Sequence, residues 1–153
     1  MQNRWIRGAG MILGTLACLY GMVYADLVLR ARSAYMQGER YLRWHDHPDE
    51  KAAFFEQKFA INKVKLDKEL AAGALSRPEY DQKLDLIRFE QEEAVRESSA
   101  KYAYIWHQTA VELFSPPESR WVQLSRQRMR QAKELWEKEL HAKGIPFKDY
   151  MLE

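Results

Sequence analysis

The chain has 153 residues, 46% of them hydrophobic and 30% charged, with 24 Lys+Arg against 22 Asp+Glu and a single Cys. That apolar share excludes a disordered tail, the near balance of charge excludes a strongly basic nucleic-acid binder, and one cysteine excludes a disulfide framework or a multi-cysteine zinc site. Seven Gly and five Pro are too few for the many turns of a β-sandwich, and a mean hydropathy of −0.58 requires the apolar residues to be unevenly spread.

The first element accounts for the unevenness. Residues 8–29 read GAGMILGTLACLYGMVYADLVL, with Asp26 the only charge. As a helix this stretch covers about 33 Å, enough to cross a bilayer core. Trp5, Tyr20 and Tyr24 are placed as interfacial aromatics, and Arg4, Arg7, Arg30 and Arg32 close the two ends. Val23-Tyr24-Ala25 before Asp26 also satisfies the small-residue rule for signal-peptide cleavage, and Thr15-Leu16-Ala17 before Cys18 is a poor lipobox. We expect an uncleaved single-span anchor in a bacterial or organelle inner membrane. Arginines flank both ends, and the short amino-terminal tail (1–7) favours export of the bulk of the chain. Gly10, Gly14 and Cys18 form one four-residue ladder of small side chains, and Ala17, Gly21 and Ala25 form a second beside it. Such ladders let another membrane helix approach closely.

Past Arg30 the apolar period becomes that of a helix, through Val28, Ala31, Ala34, Tyr35, Tyr41 and Leu42, so the anchor should continue out of the membrane to Trp44. His45-Asp46-His47 interrupts it. Pro48 followed by Asp49 and Glu50 starts a second helix, expected over 48–72 and stopped by Gly73. Ser76-Arg77-Pro78-Glu79 is a capping box for a third, expected over 77–114. Ser115-Pro116-Pro117-Glu118 repeats the pattern for a fourth, expected over 117–143 and ended by Gly144 and Pro146, with a tail over 144–153. The fold class expected is all-α: a transmembrane helix continuing into an antiparallel bundle of three amphipathic helices over 48–143.

Gly73-Ala74-Leu75-Ser76-Arg77-Pro78-Glu79-Tyr80-Asp81-Gln82-Lys83, with Leu66, Leu70, Leu84 and Ile87 around it, resembles the helical hairpin of the SHOCT family. Arg77-Pro78 stands where that pattern has an acidic pair. The resemblance implies a tight hairpin and an association with oligomerisation rather than catalysis.

Residues able to carry chemistry are few. His45 and His47, near Asp46, Asp49 and Glu50, could offer nitrogen and oxygen ligands to a divalent metal, but no third strong ligand is fixed by spacing. His107, among Tyr102, Tyr104 and Trp106, could be an axial ligand to a haem or pigment, or a core or interface histidine. No glycine-flanked nucleophile and no phosphate loop is present, so we expect neither catalysis nor a small-molecule substrate, and no resident cofactor. Charge is distributed in blocks: residues 1–48 hold six Arg against three acids, residues 49–100 nine bases against twelve acids, and residues 101–153 nine against seven. In the last block Arg120, Arg126, Arg128, Arg130 and Lys133 form a basic stripe suited to anionic lipid headgroups, to an acidic partner, or to pairing with Glu90, Glu92, Glu93 and Glu97. Five Trp and eight Tyr exceed what a small bundle can hide, so Trp106, Trp121 and Trp136 are expected at a protein interface.

Together these features predict a non-catalytic accessory subunit of a membrane complex, with respiratory and photosynthetic assemblies the commonest hosts of such chains, bound to integral membrane partners and lipid rather than nucleic acid. A free-standing tethered adaptor or homo-oligomeric scaffold, and an exported helical binding protein cleaved after Ala25, are the alternatives.

Overall fold

In a computed structural model, residues 2–148 are described, with side chains from Gly10 onward; the flanking Met1 and the end of the expected tail (149–153) lie outside them, as do the side chains of Arg4, Trp5 and Arg7. The described chain is helical throughout, without a strand. Five helices follow one another: α1 (Gln2–Asp46), α2 (Pro48–Ala71), α3 (Arg77–Arg96), α4 (Ser99–Leu113) and α5 (Arg120–Ala142).

α1 runs unbroken from the apolar segment into the amphipathic one. Its part from Gly10 carries a window of mean hydropathy 1.8, long and apolar enough to cross a membrane, and none of that window is buried by the rest of the chain. Asp26, the lone acid of the span, is paired one turn later with Arg30 at 2.6 Å, which neutralises it at the end of the apolar run.

The helices beyond the span form two compact units, one made of α1 to Arg40 with the chain from Ala100 onward, the other of residues 41–99. The third helix expected over 77–114 is two, α3 and α4. The break falls at Glu97, whose backbone is extended (φ −61°, ψ 146°). Ser98 and Ser99 follow it, residue types that favour helix starts because their hydroxyls compete for backbone partners. The interruption frees the Glu97 carbonyl, which accepts from the buried Lys51 Nζ at 2.5 Å. A helical 97 would have no such acceptor to offer.

In the second unit, α2 and α3 make the tight hairpin anticipated around Gly73. Gly73 takes φ +71°, a left-handed conformation nearly free of cost only for glycine. The Ala74 N–H then closes the helix end on the Glu69 carbonyl. Across the turn Glu79 Oε2 accepts from both the Ser76 N–H (2.9 Å) and its hydroxyl (2.6 Å). The buried Tyr80 hydroxyl donates to Asp67 on α2 at 2.6 Å, and Lys63 holds the other oxygen of that carboxylate. Trp44, 5% exposed, fills the other end of this unit against Tyr41, Phe54 and Phe55.

In the first unit, small residues let three helices come close: Ala31, Ala34 and Gly38 on α1, Ala100, Ala103 and Ala110 on α4, and Ser125 and Ala132 on α5 are all buried. α5 begins three residues later than the expected 117. Pro117 disfavours helical geometry at Pro116, and the cap is Ser119, whose hydroxyl accepts from the Val122 N–H at 3.4 Å. Ser115, the expected cap, donates instead to Glu118.

Candidate functional site

The unusual side chains of the first unit gather where α1, α4 and α5 meet. His107, carried on α4, is fully enclosed. It sits directly over Gly38 of α1: a Cβ built on Gly38 would lie 2.5 Å from the ring atoms Cε1 and Nε2, closer than any carbon can stand. Glycine at 38 is thus required by close approach. Tyr35, one turn earlier on α1, packs against the same imidazole with ring centroids 5.6 Å apart.

Among the described residues neither imidazole nitrogen has a hydrogen-bond partner. Glu39 Oε1 is 3.7 Å from Nε2, beyond hydrogen-bond reach. That carboxylate belongs to Arg128 of α5, whose Nε is 2.9 Å from Oε1 and whose Nη2 donates to Oε2 at 3.2 Å. Burial pushes the His107 pKa down from 6.5 to about 4, and the nearby Arg128 charge adds to the effect. The neutral ring is therefore the resident form at neutral pH. Ser125 on α5, also fully buried, has an unpaired hydroxyl.

This packing bears on two expectations. His107, a candidate axial ligand or core histidine, is enclosed among its own helices. Of the basic stripe, expected to meet anionic lipid or an acidic partner or to pair with Glu90, Glu92, Glu93 and Glu97, Arg128 is held by Glu39 on α1 and Arg126 by Glu118 at 2.8 Å. Glu93 has Arg96 beside it on its own helix. Arg130 is exposed and Lys133 half-buried further along α5. Arg120 stands apart at the start of α5, with its guanidinium 5.9 Å from the Trp121 ring and Arg32 of α1 5.6 Å from the same ring.

The aromatic residues expected at an interface are partly used inside the unit. Trp121 stacks on Tyr35 at 5.5 Å, and Trp136 lies 5.8 Å from Tyr104. Trp106 is half-buried. In the other unit, His45 is half-buried in the last turn of α1 and His47 is exposed at the cap of α2. No group of three metal-ligating side chains comes together among the described residues, so the structure adds no third ligand to this pair.

The span presents the opposite surface character. Gly10, Gly14, Ala17, Cys18, Gly21 and Ala25 are all exposed, and nothing lies within 4 Å of where a side chain would begin at Gly10, Gly14 or Gly21. Met11, Leu13, Leu16, Leu19, Met22 and Val23 are likewise more than half exposed. Toward the end of the span Tyr20, Val23, Tyr24 and Leu27 line a shallow crevice of about 200 Å³ with Pro116 and Pro117 of the α4–α5 corner.

Sequence reasoning missed the roles of Gly38, Glu39, Tyr35 and Arg32. The signal available for Gly38 was its place after Ala31 and Ala34 at spacings of three and four, a small-residue seam continuing past the membrane. Comparison with known proteins finds no family model, curated protein or solved structure that matches the chain. The likeness of residues 73–83 to the SHOCT hairpin accordingly stays a local one, of helix–turn–helix chemistry.

Proposed function

We propose that the protein is a non-catalytic, single-span subunit that docks its membrane helix against integral membrane partners and holds a helical module at the membrane surface. The observation that carries this reading is the exposed apolar surface of α1 from Gly10 onward, whose most apolar window has no residue buried among the described residues. In water that surface would cost about 25 cal/mol per Å²; in a bilayer the cost vanishes, and open glycines offer close helix–helix contact. The setting proposed is an inner membrane of energy-transducing type, with the helical module on its exported side. His107 enters as a packing residue of the module, not as a ligand to a redox group or pigment.

Replacing Gly14 and Gly21 by Leu tests the docking role. The variant should remain in the membrane fraction yet separate from its partners on mild detergent extraction. Unchanged co-migration would remove the ladder from the account.

A second reading is favoured by the α2–α3 hairpin, which leaves Ile61 and Val64 on α2 and Leu86 and Phe89 on α3 more than half exposed. In that reading the chain is a membrane-tethered homo-oligomeric scaffold joined through its hairpins.

A further inference from the structure

The first unit carries a contact region that the anchor alone does not require. The pairings along the bundle fix the direction of its helices. α4 brings His107 to Gly38, and Pro116 and Pro117 just past its end line a crevice with Tyr20 and Tyr24, so it runs back toward the span. α5 sets Trp121 beside Tyr35 and Arg128 beside Glu39, so it runs away from the span again. The α4–α5 corner is therefore the part of the module nearest the apolar segment of α1. Along the helix Tyr20 lies about 15 Å and Leu27 about 4.5 Å before Arg30, so the prolines that line a crevice with these residues lie below the level of the arginines that end the span.

The chemistry of the corner suits that depth. Leu113 is 67% exposed, and Phe114, Pro116 and Pro117 follow it. Two consecutive prolines remove two backbone N–H donors just where irregular backbone would otherwise have to be desolvated. The two acids of the corner each have a donor: Glu112 accepts from Gln108 at 2.9 Å, and Glu118 is held by Arg126 and Ser115. Three residues beyond Pro117 comes Arg120, which with Arg32 flanks the Trp121 ring, and among the described residues neither guanidinium faces a carboxylate. Arg32 stands two residues past Arg30, at headgroup height for a helix whose apolar run ends at Leu29.

Building on the reading that residues 8–29 cross the membrane, we infer that the α4–α5 corner is a second, monotopic membrane contact: Leu113, Pro116 and Pro117 enter the acyl layer, and Arg32 and Arg120 bind the phosphates of anionic phospholipids. The corner and the span then hold the module upright by two attachments rather than one. The basic stripe does not lie flat on the membrane. It rises along α5, Arg130 about 15 Å beyond Arg120, and only its first member meets lipid.

Site-directed spin labelling of the full chain tests this. With Cys18→Ser as background, nitroxides are placed through Pro117→Cys at the corner, Leu19→Cys in the span and Lys138→Cys on the exposed face of α5, in phosphatidylcholine vesicles with and without phosphatidylglycerol. The label at 117 should follow the label at 19, accessible to oxygen and protected from a water-soluble nickel chelate, while the label at 138 meets the chelate freely. A label at 117 as chelate-accessible as that at 138, with 19 still protected, overturns the corner contact and leaves the span intact. Exposure of 19 as well overturns both. For the headgroup half, the Arg32→Gln/Arg120→Gln variant should lose most of the preference for spin-labelled phosphatidylglycerol over phosphatidylcholine, and Arg130→Gln/Lys133→Gln, with the same change in charge, should keep it. Equal preference in both double variants overturns the assignment to Arg32 and Arg120.

Discussion

At the scale of single residues, the most constrained pair is Gly38 and His107. A methyl group at 38 would meet a flat, fully enclosed ring at 2.5 Å, and neither a rigid imidazole nor a packed helix can yield cheaply. Gly38→Ala should destabilise the first unit by about 1–3 kcal/mol, read as a lowered unfolding midpoint in detergent; an unchanged midpoint would show that α1 and α4 can part without loss. His107 makes a separate prediction. Its folded pKa of about 4 lies below the ordinary 6.5, so between those values the unfolded chain binds a proton that the folded chain refuses. Stability is therefore level above pH 6.5 and falls as the pH drops toward 4, by on the order of 3 kcal/mol in all. In a His107→Leu variant that slope should be absent, whatever its stability at neutral pH; an equal slope would assign the acid sensitivity to other groups. None of this was legible in the sequence. A histidine among aromatics reads as a core residue or as a ligand, and the seating of its ring on Gly38 rests on a contact between helices far apart in sequence.

At the scale of the helices, the legible features were the ones set by local chemistry. Pro48 with Asp49 and Glu50, Gly73, the Ser76–Glu79 box and Gly144 all act within one turn of chain, and the helix ends fall at them. The break at Glu97 was illegible because it rests on a partner far away in sequence, the Lys51 ammonium that takes up the freed carbonyl. The start of α5 was misplaced because Ser-Pro-Pro-Glu and Ser119 both look like caps, and only the conformation that the first proline is denied chooses the second. Two tests belong here. Tyr80→Phe removes the bond to Asp67 that ties α3 to α2 and should cost about 1 kcal/mol, with amide exchange quickening in the hairpin; unaltered exchange would make that bond incidental. Lys51→Met leaves the Glu97 carbonyl without its donor and should cost about 1–3 kcal/mol. A neutral result would mean that water serves the carbonyl as well as Lys51 does.

At the scale of the whole molecule, one helix has two surfaces with opposite demands. From Gly10 to Leu29 α1 is apolar and largely exposed, whereas from Ala31 onward it is the seam of a bundle, with its small residues buried. The composition already implied this division, since a chain 46% hydrophobic with a mean hydropathy of −0.58 has to concentrate its apolar residues. The fate of the aromatic residues was less accessible. Trp106, Trp121 and Trp136 were expected at a protein interface, and Trp121 and Trp136 pack against Tyr35 and Tyr104 of their own unit, which shifts the weight of the partner argument onto the span. The central claim is that α1 brings this chain into a larger membrane assembly. Native mass measurement of the protein extracted from its own membranes in mild detergent tests it most directly. The account predicts a particle containing this chain together with other integral membrane subunits in fixed ratio, and a particle built from copies of this chain alone would contradict it.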